Sequence, residues 1–183
     1  MTPSGGADAP PRQRLNSKAQ AWTPGGASAM QPRGGAAGLS SMQIGAFLQQ
    51  FAALVSAAAA AVQQALGGAD VQASDGPSGL AIVVQLPLAE FQQRRDEALA
   101  FARQALLQAA RAAGNKVHVL GSMGNPFVAT PFGCSAMLGA VADEKQACWD
   151  SLAHGYCHRG HACRWQHPLC RSTVNIMVKI AEG

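Results

Sequence analysis

Apolar side chains between residues 41 and 66 recur at the spacing of an α-helix. At about 100° per residue the larger ones fall within an arc of roughly 120°, with glutamines on the opposite side. Ser40 or Ser41 supplies an N-cap, and the Gly67-Gly68 pair supplies a stop. The clustered glutamines favour an amphipathic helix over a membrane span, so we expect no membrane partner. The predicted apolar face consists of Ile44, Phe47, Leu48, Phe51, Leu54, Val55, Val62 and Leu66.

A second amphipathic helix is predicted over residues 88–113, where the apolar positions again share one face. Shorter runs predict β-strands. Residues 80–86 are compact, apolar and partly β-branched, and residues 173–180 alternate between apolar and polar side chains. Two further strands are predicted over residues 116–120 and 134–141.

These elements together predict an α+β fold with a small sheet and one packed helix. Residues 79–142 form the main α+β region, and residues 170–183 supply the closing strand. A Cys/His-rich segment, 143–169, is inserted before that last strand. The amphipathic helix of residues 41–67 is additional to this unit. It is joined by residues 68–78, which are rich in Gly, Ser, Asp and Pro and are predicted to be a linker.

Residues 1–40 contain many glycines and prolines and few large apolar side chains. Such a composition cannot bury enough surface to offset the entropy of ordering, so we predict a disordered tail. The tail has no apolar run of the secretory type, and we expect a cytoplasmic or nuclear protein. An arginine-bearing, acid-poor composition is also typical of organelle transit peptides, and this alternative stays open.

Composition and charge bear on which kinds of function are plausible: they disfavour an enzyme and favour an anionic partner. Aromatic residues make up only 5%, and many of the 20 glycines and 10 prolines lie in the first 40 positions, which predicts a core too small for a large enzyme with a deep cleft. His118 and Cys134 are the nearest approach to a base and nucleophile, but no third group accompanies them, so we predict no enzyme. The net charge is +4. Residues 154–180 contain four Lys or Arg and no acid, which favours an anionic partner.

The cysteines and histidines carry the most specific chemistry. Five cysteines are present, and three of them precede a histidine with the spacing C-x8-C-x5-C-x3-H. In a reducing compartment this pattern predicts a metal site in preference to disulfides. Three thiolates and one imidazole complete a tetrahedron around Zn²⁺ and leave no position for a catalytic water. Cys134 and Cys170 lie outside the spacing and are predicted to be buried free thiols. The predicted ligands are Cys148, Cys157, Cys163 and His167.

With Gly155, Gly160 and Trp165 at matching positions, residues 148–168 resemble the CCCH zinc finger family. We call residues 143–169 the finger. The resemblance implies binding of single-stranded RNA through rings that stack on bases. Arg159 replaces an aromatic residue of the family, and a guanidinium plane can also stack on a base. Alternatively, the rings of Trp149, Tyr156 and Trp165 only pack over the metal. The predicted RNA contacts are Tyr156, Arg159, Arg164 and Trp165.

A short segment of the tail, residues 15–24, reads L-N-x-x-A-x-x-W-x-P. It resembles the motif by which disordered tails bind the C-terminal helical domain of cytoplasmic poly(A)-binding protein. The resemblance implies that Leu15 and Trp22 fill two apolar pockets and that Ala19 packs between them. A lone Leu and Trp in a disordered tail are suitable anchors for a partner groove. The predicted partner-binding residues are Leu15, Asn16, Ala19, Trp22 and Pro24.

Together these features predict a zinc-dependent RNA-binding adaptor in post-transcriptional regulation, which recruits poly(A)-binding protein to transcripts. The alternative is a zinc-stapled protein–protein interaction module that does not bind RNA. The two hypotheses share the metal site and differ in the use of its exposed surface.

Overall fold

The computed structural model describes residues 40–76, 79–114, 116–121 and 124–182. They form an α+β fold with the Cys/His cluster before the last strand, which confirms the predicted class. The helices are α1 (Ser41–Ala65), α2 (Leu88–Ala112) and α3 (Trp149–His154). The strands are β1 (Asp70–Gly76), β2 (Gly79–Leu86), β3 (Val117–Val119), β4 (Val128–Thr130), β5 (Gly133–Ala140) and β6 (Cys170–Ile180).

The sheet has the strand order β1-β2-β6-β5-β3, and β4 also pairs with β5. Strands β2 and β6 are parallel, with Ile82 opposite Ile176, and the other pairs are antiparallel. Ala140 at the end of β5 lies opposite Cys170 at the start of β6. The chain therefore leaves the sheet after Ala140 and re-enters it beside the same residue, at Cys170, so both ends of the finger lie at one point of the sheet.

Helices α1 and α2 pack on one face of the sheet, and the core lies between them and that face. Because side chains alternate along a strand, the odd-numbered residues of β5 and β6 lie on the other face. We call it the open face; it includes Ser135, Met137, Thr173 and Met177. The buried strand residues on the helix side include Ile82, Val84, Cys134, Ala136, Leu138, Val174, Ile176 and Val178.

Helix α1 begins with a capping box between Ser40 and Gln43, each of which bonds the backbone N–H of the other. Its fully buried face starts at Phe51, whereas Ile44 and Leu48 of the predicted face are exposed. Helix α1 is long and apolar enough to cross a membrane. Core helices of soluble proteins meet the same two criteria. Here its buried side chains pack into the core cluster with those of α2 and the sheet.

Two strands lie where none was predicted. Residues 68–78 are not wholly a linker, because β1 forms a hairpin with β2 in which Asp75 pairs with Leu80. The side chain of Gln63 in α1 supports this edge strand by accepting from the backbone of Val71 and donating to that of Ala69, both at 2.7 Å. Strand β4 lies between the strands predicted over residues 116–120 and 134–141. Both are edge strands and are mostly exposed, so their sequences need no apolar alternation.

Candidate metal centre

Short elements place the four predicted ligands one after another along the finger. A 3₁₀ helix, Glu144–Gln146, leads to Cys148, which directly precedes α3. Helix α3 ends at His154, and Gly155 caps it with a φ of 77°, a left-handed conformation that favours glycine. Cys157 follows this turn, and a second 3₁₀ helix, Gly160–Ala162, ends at Cys163. The tight turn brings the chain back towards the first cysteine.

Backbone hydrogen bonds join the two ends of the finger. The N–H of Cys148 donates to the carbonyl of Gln166 at 2.7 Å, and the N–H of Gln166 donates to the carbonyl of Gln146 at 2.8 Å. The side-chain carbonyl of Gln166 also accepts from the N–H groups of Ala142 and Asp143. These bonds bring the segment that carries His167 against the segment that carries Cys148.

The ligand atoms of Cys148, Cys157, Cys163 and His167 all lie within 4.8 Å of one another. The Sγ atoms of Cys148 and Cys163 are 3.7 Å apart, and a tetrahedral ion with metal–sulfur bonds of about 2.3 Å separates its sulfurs by about 3.8 Å. Nε2 of His167 is buried without a hydrogen-bond partner among the described residues. A metal ion would satisfy that nitrogen, since a buried unpaired polar atom is costly. The four side chains therefore fit a metal ion.

The pKa values of two of the cysteines are shifted in opposite directions. Burial raises the pKa of Cys148, against a bond from the backbone of Ser151. Burial also opposes ionisation of Cys157, but hydrogen bonds from the backbone and from the side chain of Arg159 outweigh it and lower its pKa to about 6. Conversely, contact with Cys157 and then with Asp150 raises the pKa of Arg159. The thiolate that a metal requires is thus supported at Cys157 by a permanent positive charge.

Beside the cluster, the surface carries two tryptophans and two basic residues. Trp149, Trp165, Lys145 and Arg159, together with Ala147, line a cavity of about 310 Å³ that we call the indole cavity. The exposed fraction is 63% for Trp149 and 40% for Trp165. Trp149 is therefore mostly exposed, whereas more than half of Trp165 is covered by the protein.

The four predicted RNA contacts do not all come together. Arg159 and Trp165 line the indole cavity, and Arg164 lies over the ring of Trp165 with 5.3 Å between its guanidinium carbon and the ring centroid. Tyr156 is 69% exposed and lines a different cavity at the other end of α3. The sequence did not place Trp149 and Lys145 beside Arg159 and Trp165, where the structure has them. The available signal was the position of Trp149 directly after the first cysteine.

Three other residues that the sequence analysis considered, Cys134, Cys170 and His118, lie outside the metal centre. Cys134 and Cys170 are buried free cysteines, as predicted; Nε of Arg103 donates to Sγ of Cys134 at 3.4 Å, and burial raises the pKa of Cys170. His118 pairs with Gly139 and so lies on the open face, whereas Cys134 faces the core. Those two side chains therefore do not meet as a base and a nucleophile.

The predicted partner-binding residues of the tail, Leu15, Asn16, Ala19, Trp22 and Pro24, lie outside the described residues. No family model matches the chain, and comparisons with curated proteins and with solved structures gave no match. The metal centre is therefore assigned from its own donor atoms and their geometry: three cysteines and one histidine that can hold a metal ion.

Proposed function

We propose that this protein is a zinc-dependent RNA-binding adaptor that acts in post-transcriptional regulation. The observation that carries the proposal is the indole cavity beside the metal ligands, where two exposed tryptophans stand with Lys145 and Arg159. Exposed indoles offer stacking surfaces for bases, and basic side chains offer contacts for phosphates. Both are needed to hold single-stranded RNA.

Zinc is the metal that suits this donor set best. Thiolates and a neutral imidazole in tetrahedral arrangement favour Zn²⁺ over the oxygen-seeking cations. The four protein ligands would fill the tetrahedral coordination sphere and leave no open position, so bound zinc would have a structural role. Its part in the function is to hold the loop of Arg159 and the segment of Trp165 in place around the indole cavity.

The charge around the cavity supports an anionic partner. Arg159 forms an ion pair with Asp150 but keeps 44% of its side chain exposed. Arg164 and Lys145 are also exposed, and the guanidinium of Arg164 already stacks on Trp165. A base that stacks on the same indole would therefore meet a positive charge beside it.

The adaptor part of the proposal comes from the tail motif at residues 15–24. Its resemblance to the motif that binds poly(A)-binding protein suggests a second, separate contact. The finger would hold a transcript, and Leu15 and Trp22 would anchor the helical domain of that protein. This arrangement links a transcript to the machinery of translation or decay without any enzymatic step.

Fluorescence anisotropy of labelled 12-nucleotide RNAs with the full chain tests the RNA-binding part. Zinc-loaded protein should bind, and protein stripped with a chelator should lose most of that affinity and regain it when zinc is restored. Crosslinking in cells followed by sequencing would then identify the transcripts. A folded, zinc-loaded protein that recovers no RNA above background would overturn the proposal in favour of a zinc-stapled protein–protein interaction module.

A further inference from the structure

A second cavity, of about 400 Å³, lies where the finger meets the open face of the sheet. We call it the junction cavity. It is lined by the end of α3, by β5 and β6, and by residues 125–128, so it is built from segments far apart in sequence. None of the described residues that line it is acidic. Its volume falls in the usual range for small-ligand sites.

The walls of the junction cavity are held in place from two sides. Arg171 at the start of β6 donates to the carbonyl of Gly155 and to the hydroxyl of Ser151, both at 3.4 Å. On the other side, the N–H of Gly121 donates to the carbonyl of Leu152 at 2.8 Å. The finger is thereby fixed to the sheet, and a ligand would enter a site that is already formed.

The lining combines flat apolar surface with hydrogen-bonding groups. Tyr156 and Met137 are exposed, at 69% and 40%, and present a ring and a polarizable thioether. Ser135 and Thr173 contribute hydroxyl groups from neighbouring strands. Asn125 accepts from the N–H of Phe127 through its side-chain oxygen at 3.2 Å, and its NH₂ group has donor capacity. A planar ligand with a polar edge matches this set, and an unpaired nucleobase is such a ligand.

We propose that the junction cavity binds one unpaired base of the same RNA strand that the finger holds. This inference rests on the proposed function and extends it from the finger to the sheet. The indole cavity lies at the start of α3 and the junction cavity at its end. The helix rises only about 9 Å over its six residues, so one RNA chain of a few nucleotides is long enough to reach from one end of it to the other. Ser135 and Thr173 then contribute to base selection.

Matched variants of the full, zinc-loaded chain test the inference with labelled U12, A12 and C12. Met137→Ala removes one wall, whereas Met177→Ala changes a methionine of the open face that does not line the cavity. We expect Met137→Ala to weaken binding about five- to tenfold, the loss of one base contact, and Met177→Ala to stay within about twofold. Thr173→Val should change the ranking of the three RNAs, and its control Thr130→Val should leave the ranking unchanged.

Photocrosslinking of the unmodified protein to RNA that contains 4-thiouridine gives a readout that needs no variant. Crosslinks at Tyr156 and within β5 support the inference, whereas crosslinks confined to Trp149 and Trp165 overturn it. Equal affinities of Met137→Ala and Met177→Ala, with zinc content and melting temperature unchanged, also overturn it while leaving the finger's RNA binding intact. Failure of the unmodified chain to bind any RNA would instead overturn the proposed function, and the inference with it.

Discussion

The guanidinium of Arg159 contacts the carboxylate of Asp150, with 2.6 Å between Nη2 and Oδ2. Asp150 lies in α3, and Arg159 lies two residues after the ligand Cys157. The ion pair therefore ties the loop of the second cysteine back to the helix that follows the first. It also limits the charge that Arg159 offers to a phosphate, because part of that charge is already neutralised.

Replacing Arg159 and replacing Asp150 should have opposite effects on the affinity for RNA. Arg159→Ala should weaken all sequences about equally and reduce the slope of log affinity against log salt by about 1, because one phosphate contact is lost. Asp150→Asn should strengthen binding, because the guanidinium loses its competing carboxylate. Anisotropy titrations at several salt concentrations measure both effects. If Arg159→Ala binds as the unmodified protein does, the basic surface only contacts solvent.

Removal of zinc should unfold the finger and leave the rest of the protein folded. Chelation or Cys157→Ser should expose residues 143–169 to hydrogen exchange, while α2 stays protected, because the large buried side chains lie in the helices and the sheet. In zinc-finger peptides metal binding contributes about 10–16 kcal/mol to folding. Cys170→Ser, a change outside the cluster, should retain one zinc per chain. Metal analysis that finds no zinc in natively purified, folded protein would contradict this prediction.

Trp149 should contribute to RNA binding more than to stability. It is the more exposed tryptophan of the indole cavity, so Trp149→Ala should weaken RNA binding by about 1–3 kcal/mol, the value of one stacked base. Phe132→Ala, which removes an exposed ring outside the finger, should have no effect. Circular dichroism verifies that both variants fold. Trp165→Ala is less informative, because it also removes the partner of Arg164. Unchanged affinity of Trp149→Ala would remove the indole cavity from the binding surface.

The tail should bind poly(A)-binding protein by itself. A peptide of residues 12–26 should bind the C-terminal helical domain with micromolar affinity, about −8 kcal/mol, because ordering a disordered segment consumes part of the interaction energy. Trp22→Ala should nearly abolish binding, whereas Lys18→Ala should change it little, since burial of each apolar anchor contributes roughly 1.5–3 kcal/mol. Titration calorimetry compares the three peptides. Equal affinity of the Trp22→Ala peptide and the unmodified peptide would mean that the resemblance is accidental.

Gly133 should be intolerant of a side chain. A Cβ atom there would meet the backbone carbonyl oxygen of Ile176 on the neighbouring strand β6. Because that atom cannot move without breaking the ladder, Gly133→Ala should lower the free energy of unfolding by about 3 kcal/mol. Gly45→Ala, in α1 with no atom near the new Cβ, should stabilise by up to about 1 kcal/mol. Urea denaturation of the two variants measures the difference. Similar stabilities would contradict the prediction.

The pattern of apolar residues predicts the elements whose residues face the core. Strands β2 and β6 were predictable because their apolar residues are buried against the helices. The four candidate ligands were predictable because thiolate and imidazole chemistry fixes the residue types that can hold a metal ion. Strand β1 was not predictable, since an exposed edge strand needs no apolar pattern. Ile44 and Leu48 fitted the helical pattern but are exposed, because periodicity does not tell where packing stops.

The cavities were beyond sequence reasoning for a different reason. The junction cavity joins Met137, Tyr156 and Thr173, which only the strand pairing and the docking of α3 bring together. In the indole cavity, Lys145 and Trp149 precede α3 or begin it, whereas Arg159 and Trp165 follow it. Neither set shows periodicity or a fixed spacing.

The pairing of Ala140 with Cys170 makes residues 141–169 a long loop that must close before β5 and β6 can form their ladder. Loop closure costs entropy that grows with loop length, and pairing of distant strands is slow for the same reason. A metal ion bound by Cys148 and His167 shortens this loop to the few residues between the ladder and these two ligands. The rate at which the sheet folds should therefore rise with zinc concentration, and the metal would serve the core by shortening the search for its central strand.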